Sequence, residues 1–276
     1  MPGRKRYTAT ETSEDYYWER VKRNLGWLGN TLEEQKERQL KLWDATIGVA
    51  GVGGIGGATA ERLVRMGVQN LKVADPDTFE VSNINRQYGA SLDTVGRNKA
   101  EVVAELVYNT TRDVNVEVYP EGITEETVDE FFEGCDYVLD KIELYEINAR
   151  YTLHRAFRRS QQCRFMMLTP VFGHRTFFFK WTRDSMPAEE YFGVPADEPM
   201  NEKNARRIIS RFIPEMPDIR VPRCWRTGSS RTLSARSSRE LRPSPRECSP
   251  PGSARPSPAS TSCRELSRCP SPRGTP

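Results

Sequence analysis

From residue 46 onward, short apolar runs alternate with longer stretches whose apolar positions recur three and four apart. The short runs predict strands over Thr46–Ala50, Asn70–Ala74, Asn115–Tyr119, Tyr137–Asp140 and Arg164–Leu168. The longer stretches predict helices over Gly56–Met66, Arg97–Tyr108, Glu125–Glu133 and Ile147–Ser160. Alternation of this kind predicts an α/β domain with a Rossmann-like, mostly parallel sheet and helices on both faces. A further aromatic run, Arg175–Trp181, predicts one more strand whose side chains pack.

Ahead of the alternation, Ser13-Glu14-Asp15 predicts the start of a helix carrying Tyr16, Tyr17, Trp18 and Val21. Thr31–Trp43 predicts a second helix, with Thr31 as N-cap and Glu34 as its capping-box partner. Together they make a helical N-terminal extension, and the polar residues 1–13 are expected to be disordered. Arg20, Lys22 and Arg23 lie between the two helices and, taken alone, read as a solvated face.

Composition breaks near Pro222. Residues 222–276 hold 13 Ser, 11 Arg and 10 Pro, with no Ile, Phe, Tyr, Met, Lys or Asp. Such a segment buries too little apolar surface to offset the entropy of ordering it, so a disordered tail is expected. Arginine without lysine, mixed with Ser, Pro and Cys, also matches a GC-rich reading frame translated out of frame, so a frameshifted or truncated end is a second expectation. A basic tail for anionic partners is the third reading. Residues 14–221 are left as the folded domain.

This division changes the meaning of the formal net charge of +3. The tail alone carries +8, which leaves 30 basic against 35 acidic residues over positions 1–221. The folded part is mildly acidic, so its charge predicts no nucleic-acid partner. No run of about 18 apolar residues exists and no apolar core follows the basic start, so neither a membrane span nor a secretory signal is expected. A cytoplasmic protein with free thiols is the reading. Cys135 and Cys163 lie in the folded part, lack metal-site spacing and read as packing residues; His154 and His174 read as structural.

The candidate chemistry starts at Thr46–Gly57, T-I-G-V-A-G-V-G-G-I-G-G. Gly51, Gly53 and Gly56 fit G-x-G-x-x-G, with Gly54 added. Glycine there permits a tight turn after a strand and close approach of backbone N–H groups to a phosphate, at the positive end of the following helix. Asp75 ends the second strand at the distance where an acid reaches ribose hydroxyls. Beyond it come Asp77, Asn83, Arg86 and Lys99. Several cations aimed at one place suit a triphosphate better than a nicotinamide pyrophosphate.

In that order and spacing, G-V-G-G-I-G-G, A-D-P-D-T-F-E-V-S-N-I-N-R-Q and V-G-R-N-K-A-E resemble the ThiF/MoeB/HesA superfamily of adenylating enzymes, relatives of the enzymes that activate ubiquitin-like proteins. The resemblance covers roughly residues 20–181. It implies that Gly51, Gly53, Gly54 and Gly56 cradle ATP, that Asp75, with Asp77 beside it, binds the ribose, and that Asn83, Arg86 and Lys99 meet the phosphates. It implies that Arg23 is an arginine finger reaching into a partner subunit's site, and hence a homodimer. It implies Mg²⁺ held at Glu143 and Asp140, where Glu143 stands in place of the family's second aspartate; by itself Asp140 reads equally as a strand-end helix cap. The activity implied is adenylation of a carboxylate, such as the C-terminus of a ubiquitin-like carrier protein or peptide, with release of pyrophosphate. An NAD-dependent oxidoreductase and a nucleotide-binding scaffold without catalysis are the alternatives.

Overall fold

The computed structural model describes residues 4–172, 175–198 and 200–212. The tail after 222, His174 and the tail cysteines lie outside the described residues.

The chain opens with β1 (Arg6–Tyr7), α1 (Glu14–Val21) and α2 (Leu32–Asp44). Then come β2 (Thr46–Ala50), α3 (Gly54–Met66), β3 (Asn70–Ala74), α4 (Lys99–Thr111), β4 (Asn115–Tyr119) and α5 (Val128–Phe132). The second half holds β5 (Tyr137–Asp140), α6 (Ile147–Arg159), β6 (Phe165–Leu168), β7 (Val171–Phe172), β8 (Arg175–Thr176), β9 (Phe179–Trp181), α7 (Ala188–Phe192) and α8 (Glu202–Phe212).

The main sheet runs β1-β4-β3-β2-β5-β6-β9. Its five central strands are parallel, and β1 and β9 close the edges antiparallel. Burial on both faces explains the largely apolar central strands, whose charged interruptions, Lys72 of β3 and Glu117 of β4, pair with each other at 3.3 Å. On one face Val49, Val73, Val116 and Val118 pack under Ala60 and Val64 of α3 and Val103 and Val107 of α4. On the other, Ala50, Val138 and Met166 pack against Phe131 of α5, Tyr151 and Phe157 of α6, Phe192 of α7 and Ile208 of α8. Among the described residues no helix is long and apolar enough to cross a membrane.

The expected α/β sheet stands, with three differences. Residues 1–13 are not disordered throughout, because Arg6–Tyr7 pairs with β4 and Arg4 reaches Glu121 at 2.8 Å and Glu130 at 2.7 Å while lying over the Tyr119 ring. Edge pairing and two ion pairs hold a segment whose polarity alone suggested none. The run Arg175–Trp181 is divided between β8, paired with β7, and β9, paired with β6. Finally, α7 and α8 follow where no element was expected; the buried Ala205, Ile208 and Ile209 carry the three-and-four spacing that marks α8. In α2, Thr31 caps as expected by accepting from the Glu34 N–H, but the Glu34 carboxylate accepts from Asn30 rather than from Thr31.

The chain builds β2, β3 and β4 in one direction and then returns to lay β5 and β6 on the other side of β2. This reversal opens a crevice at the carboxyl ends of β2 and β5, the usual ligand position in such sheets.

Candidate functional site

A cavity of about 740 Å³ occupies that crevice. Its floor is the turn after β2. Gly51 has φ +91°, and a Cβ there would sit 2.4 Å from the Lys141 carbonyl oxygen. A Cβ on Gly56 would come within 1.9 Å of the Gly51 carbonyl oxygen. Only hydrogen at both places lets α3 start so close to the strand end. Gly53, the N-cap of α3, brings no side chain to the first N–H groups, so the positive end of a 13-residue helix is open to an anion. Gly54 joins Gly51, Gly53 and Gly56 on the wall.

At the end of β3, Asp75 is buried and accepts the Val52 N–H at 2.8 Å and the Asp77 N–H at 3.0 Å. Burial raises its pKa against those two hydrogen bonds and the Lys99 charge. One oxygen therefore braces the glycine turn and the other the loop after β3, and the more accessible acid beside them is Asp77. The Asp77 carboxylate is exposed and takes a hydrogen bond from Lys99 Nζ at 2.9 Å.

Lys99 is the first residue of α4. Its neighbour Asn98 caps the helix by accepting from the Glu101 N–H at 3.1 Å, and its amide donates to the carbonyls of Asp75 and Pro120, both at 3.0 Å. This clamp fixes the start of α4 against the ends of β3 and β4, and so aims Lys99 at the cavity. Arg86 follows a short 3-10 turn over Val81–Asn83. Its Nη1 donates to the Ser82 carbonyl and to Asn85 Oδ1, both at 3.0 Å, and the residue lines the cavity with its backbone carbonyl beside Gly54. Arg86 and Lys99 thus stand on one wall with the glycine turn.

Two expected ligands are used elsewhere. Asn83 is buried, and its Oδ1 accepts the Glu80 N–H at 3.0 Å, so it shapes the turn that carries Arg86 and is not on the cavity wall. Asp140 is fully buried between Arg150 (Nε at 2.8 Å) and His154 (Nε2 at 3.2 Å), and it also accepts the Ile142 N–H at 3.1 Å. Burial alone would raise its pKa, but Arg150 and His154 hold it at about 2. A carboxylate saturated in this way has no lone pair directed at a metal, so Asp140 is corrected from ligand to structural anchor. His154 is structural, as expected.

Glu143 is exposed, lines the cavity, and makes no side-chain hydrogen bond or ion pair among the described residues. In the same loop, where the Glu146 N–H donates to the Glu143 carbonyl at 3.1 Å, burial and the charges of Asp77 and Glu143 raise the pKa of Glu146. Asp77 follows β3 while Glu143 and Glu146 follow β5, so these acids line different sides of the crevice, and among the described residues no cluster of three or more His, Cys, Asp or Glu is gathered to hold a metal ion.

Gln87, Lys141 and Arg150 also line the cavity without having been assigned a role. Gln87 packs beside Gly53 with its buried Oε1 unpaired, and Arg150 leaves Nη1 unpaired. The R-Q pair of the motif contained Gln87; nothing local marked the other two. Arg23 is absent from the cavity wall. It is exposed in the turn after α1 and makes no side-chain hydrogen bond or ion pair among the described residues.

Cys135 and Cys163 are both fully buried, and burial pushes each thiol up to about 12. Thiolate is the reactive form, so neither should accept an acyl group. Peptide mapping after iodoacetamide treatment of the native chain at pH 8 should leave both unmodified for hours; rapid labelling of either would overturn this assignment.

The family model described as "ThiF family" matches residues 23–213. The tRNA threonylcarbamoyladenosine dehydratase of Bacillus subtilis (strain 168) is 38% identical over 112 residues, which cover 40% of this chain and 44% of that protein. Ubiquitin-like modifier-activating enzyme 5 of Bombyx mori is 37% identical over 98 residues, 36% of this chain and 24% of that protein. The chain spans less than half the length of these curated relatives. Among solved structures, the E. coli tRNA N6-threonylcarbamoyladenosine dehydratase TcdA in complex with ATP has a TM-score of 0.51 at 29% identity, covering 60% of this chain and 64% of that one. A match over residues 23–213, more than half of the sequence and inclusive of every wall of the cavity, shows that this chain belongs to the ThiF family.

Proposed function

We propose that this chain is an ATP-dependent adenylating enzyme that converts a carboxylate into an acyl-adenylate and releases pyrophosphate. The observation that carries this reading is the convergence of Arg86, Lys99 and the uncapped start of α3 on one cavity, with Asp77 paired to Lys99 and Glu143 on the β5 side. In this reading the triphosphate lies over the glycine turn and the ribose sits toward Asp75 at the end of β3.

The attacking carboxylate is already ionised at neutral pH, so no general base is required. Its oxygen forms a bond to the α-phosphorus, and the bond to the β-phosphate oxygen breaks with its electron pair leaving on pyrophosphate. Catalysis then consists of holding the reactants in line and offsetting charge on the phosphate oxygens. Arg86 is suited to a forked contact and Lys99 to a point contact. Mg²⁺ held chiefly by the phosphates, with Glu143 as its carboxylate ligand, would neutralise part of their charge.

Arg23 is exposed and lies off its own chain's cavity wall, and Trp27 and Leu32 near it in sequence are 91% and 59% exposed. This suits a homodimer in which Arg23 enters the second subunit's site. For the carboxylate we favour the C-terminus of a small carrier protein or peptide, because residues 1–221 are net acidic. A tRNA-borne group is the second reading, favoured by 38% identity to a tRNA threonylcarbamoyladenosine dehydratase. We place the reaction in the cytoplasm.

Exchange of labelled pyrophosphate into ATP tests this reading, with a carrier-type peptide ending in glycine and bulk tRNA as separate carboxylate sources. Exchange that depends on either source is expected. Tight NAD binding with no ATP binding would contradict it, and so would ATP binding with no exchange from any carboxylate.

A further inference from the structure

Lys141 belongs to none of the groups assigned to the nucleotide. It is the first residue after β5, its N–H donates to the Ala50 carbonyl at 2.7 Å, and its own carbonyl lies against Gly51. The side chain therefore starts from the glycine turn itself. Its ammonium meets Thr169 Oγ1, the first residue after β6. It is half-buried, and among the described residues no carboxylate forms an ion pair with it. The adjacent Asp140 is already committed to Arg150 and His154.

An ammonium in partial burial without a counter-ion favours an incoming anion. Its position decides which anion. Asp77, Arg86 and Lys99 occupy the β3 side of the crevice, whereas Lys141 and Thr169 stand on the β5–β6 side. There Ile142, Leu144, Leu168, Pro170 and Val171 add an apolar stretch of wall, with Glu143 and Glu146 further along the same loop.

Resting on the adenylation reading, we propose that Lys141 and Thr169 form the acyl subsite, which holds the substrate carboxylate beside the α-phosphate. Lys141 binds the oxygen that remains as the carbonyl of the acyl-adenylate, while the other oxygen attacks phosphorus. Lys141 transfers no proton, and it cancels the repulsion between the carboxylate and the phosphates as they approach. The apolar walls next to it select a carboxylate on a small or apolar group and disfavour a second charge close to the reacting carbon.

Calorimetry on the full chain with two probes tests this. AMP reports the nucleotide half alone, and 5′-O-(N-acetylsulfamoyl)adenosine, a stable acyl-adenylate mimic, reports both halves. The unaltered protein should bind the mimic at least about tenfold more tightly than AMP, as expected for a hydrogen bond from a charged donor. Lys141→Met should remove that preference and leave AMP affinity within about twofold; Lys141→Arg should restore part of it, and Thr169→Val should weaken it. Equal loss for AMP and mimic in Lys141→Met would make Lys141 a phosphate contact and overturn the inference. A preference that survives in both Lys141→Met and Thr169→Val would overturn it as well. Failure of the unaltered protein to bind AMP would instead overturn the adenylation reading on which the inference rests.

Discussion

Replacing Lys99 or Arg86 by alanine is expected to lower carboxylate-dependent pyrophosphate exchange by about 10²–10³-fold while weakening ATP binding less than about tenfold. The asymmetry follows from where charge grows. In ground-state ATP the phosphate charge is already spread over many oxygens and shared with solvent and metal. As the bond to pyrophosphate breaks, charge concentrates on the oxygens that Arg86 and Lys99 face. For Lys99 a second effect adds to the first, because its removal leaves the Asp77 carboxylate uncompensated beside the phosphates. Lys99→Met, which keeps an unbranched chain of similar volume and loses the charge, should behave like Lys99→Ala. Equal losses in exchange and in ATP binding would show that the two cations only position the ground state.

The second large effect concerns stability. Asp140→Ala is expected to cost about 3–5 kcal/mol, because Arg150 would keep a buried charge with its main partner gone. Arg150→Met should cost a similar amount for the converse reason. The urea midpoint should fall in both variants. The same cluster sets a pH dependence. The Asp140 pKa is about 2 in the folded chain, below the ordinary value near 3.9 of an unfolded aspartate. Its contribution is therefore complete above about pH 4 and is lost as the pH falls through about 2. In Asp140→Ala this acid-dependent component should vanish. An Asp140→Ala variant with unchanged stability and abolished exchange would return Asp140 to the role of metal ligand.

What was legible in the sequence was chiefly what is local along it. The glycine turn, the strand ends and the helix starts at Ser13 and Thr31 each lie within a few residues of the groups they serve, whereas the cap at Asn98 was not foreseen. Arg86 and Lys99 were legible as a set through their order behind the turn. Polar side chains that fold back onto their own neighbourhood were harder to place. Asn83 belongs to the same motif as Arg86, yet its oxygen turns inward to a backbone N–H three residues away. Long-range pairing was not legible at all. Asp140 and Arg150 are ten residues apart on a strand end and a helix, and only packing of α6 against the sheet brings them together. The same holds for Arg4 against Glu121 and Glu130, which orders a segment whose composition suggested disorder. Lys141 carried no signal beyond being a lysine near an acid, because its meaning depends on Thr169, 28 positions further along the chain.

The account rests on one ATP lying across the glycine turn with its phosphates between Arg86 and Lys99. A crystal structure of the chain with a non-hydrolysable ATP analogue and Mg²⁺ measures this directly. The account predicts phosphate oxygens within about 3.2 Å of both side chains, with the ribose hydroxyls toward Asp75. A nucleotide bound with its phosphates away from both cations, or bound outside the crevice between β2 and β5, would contradict it.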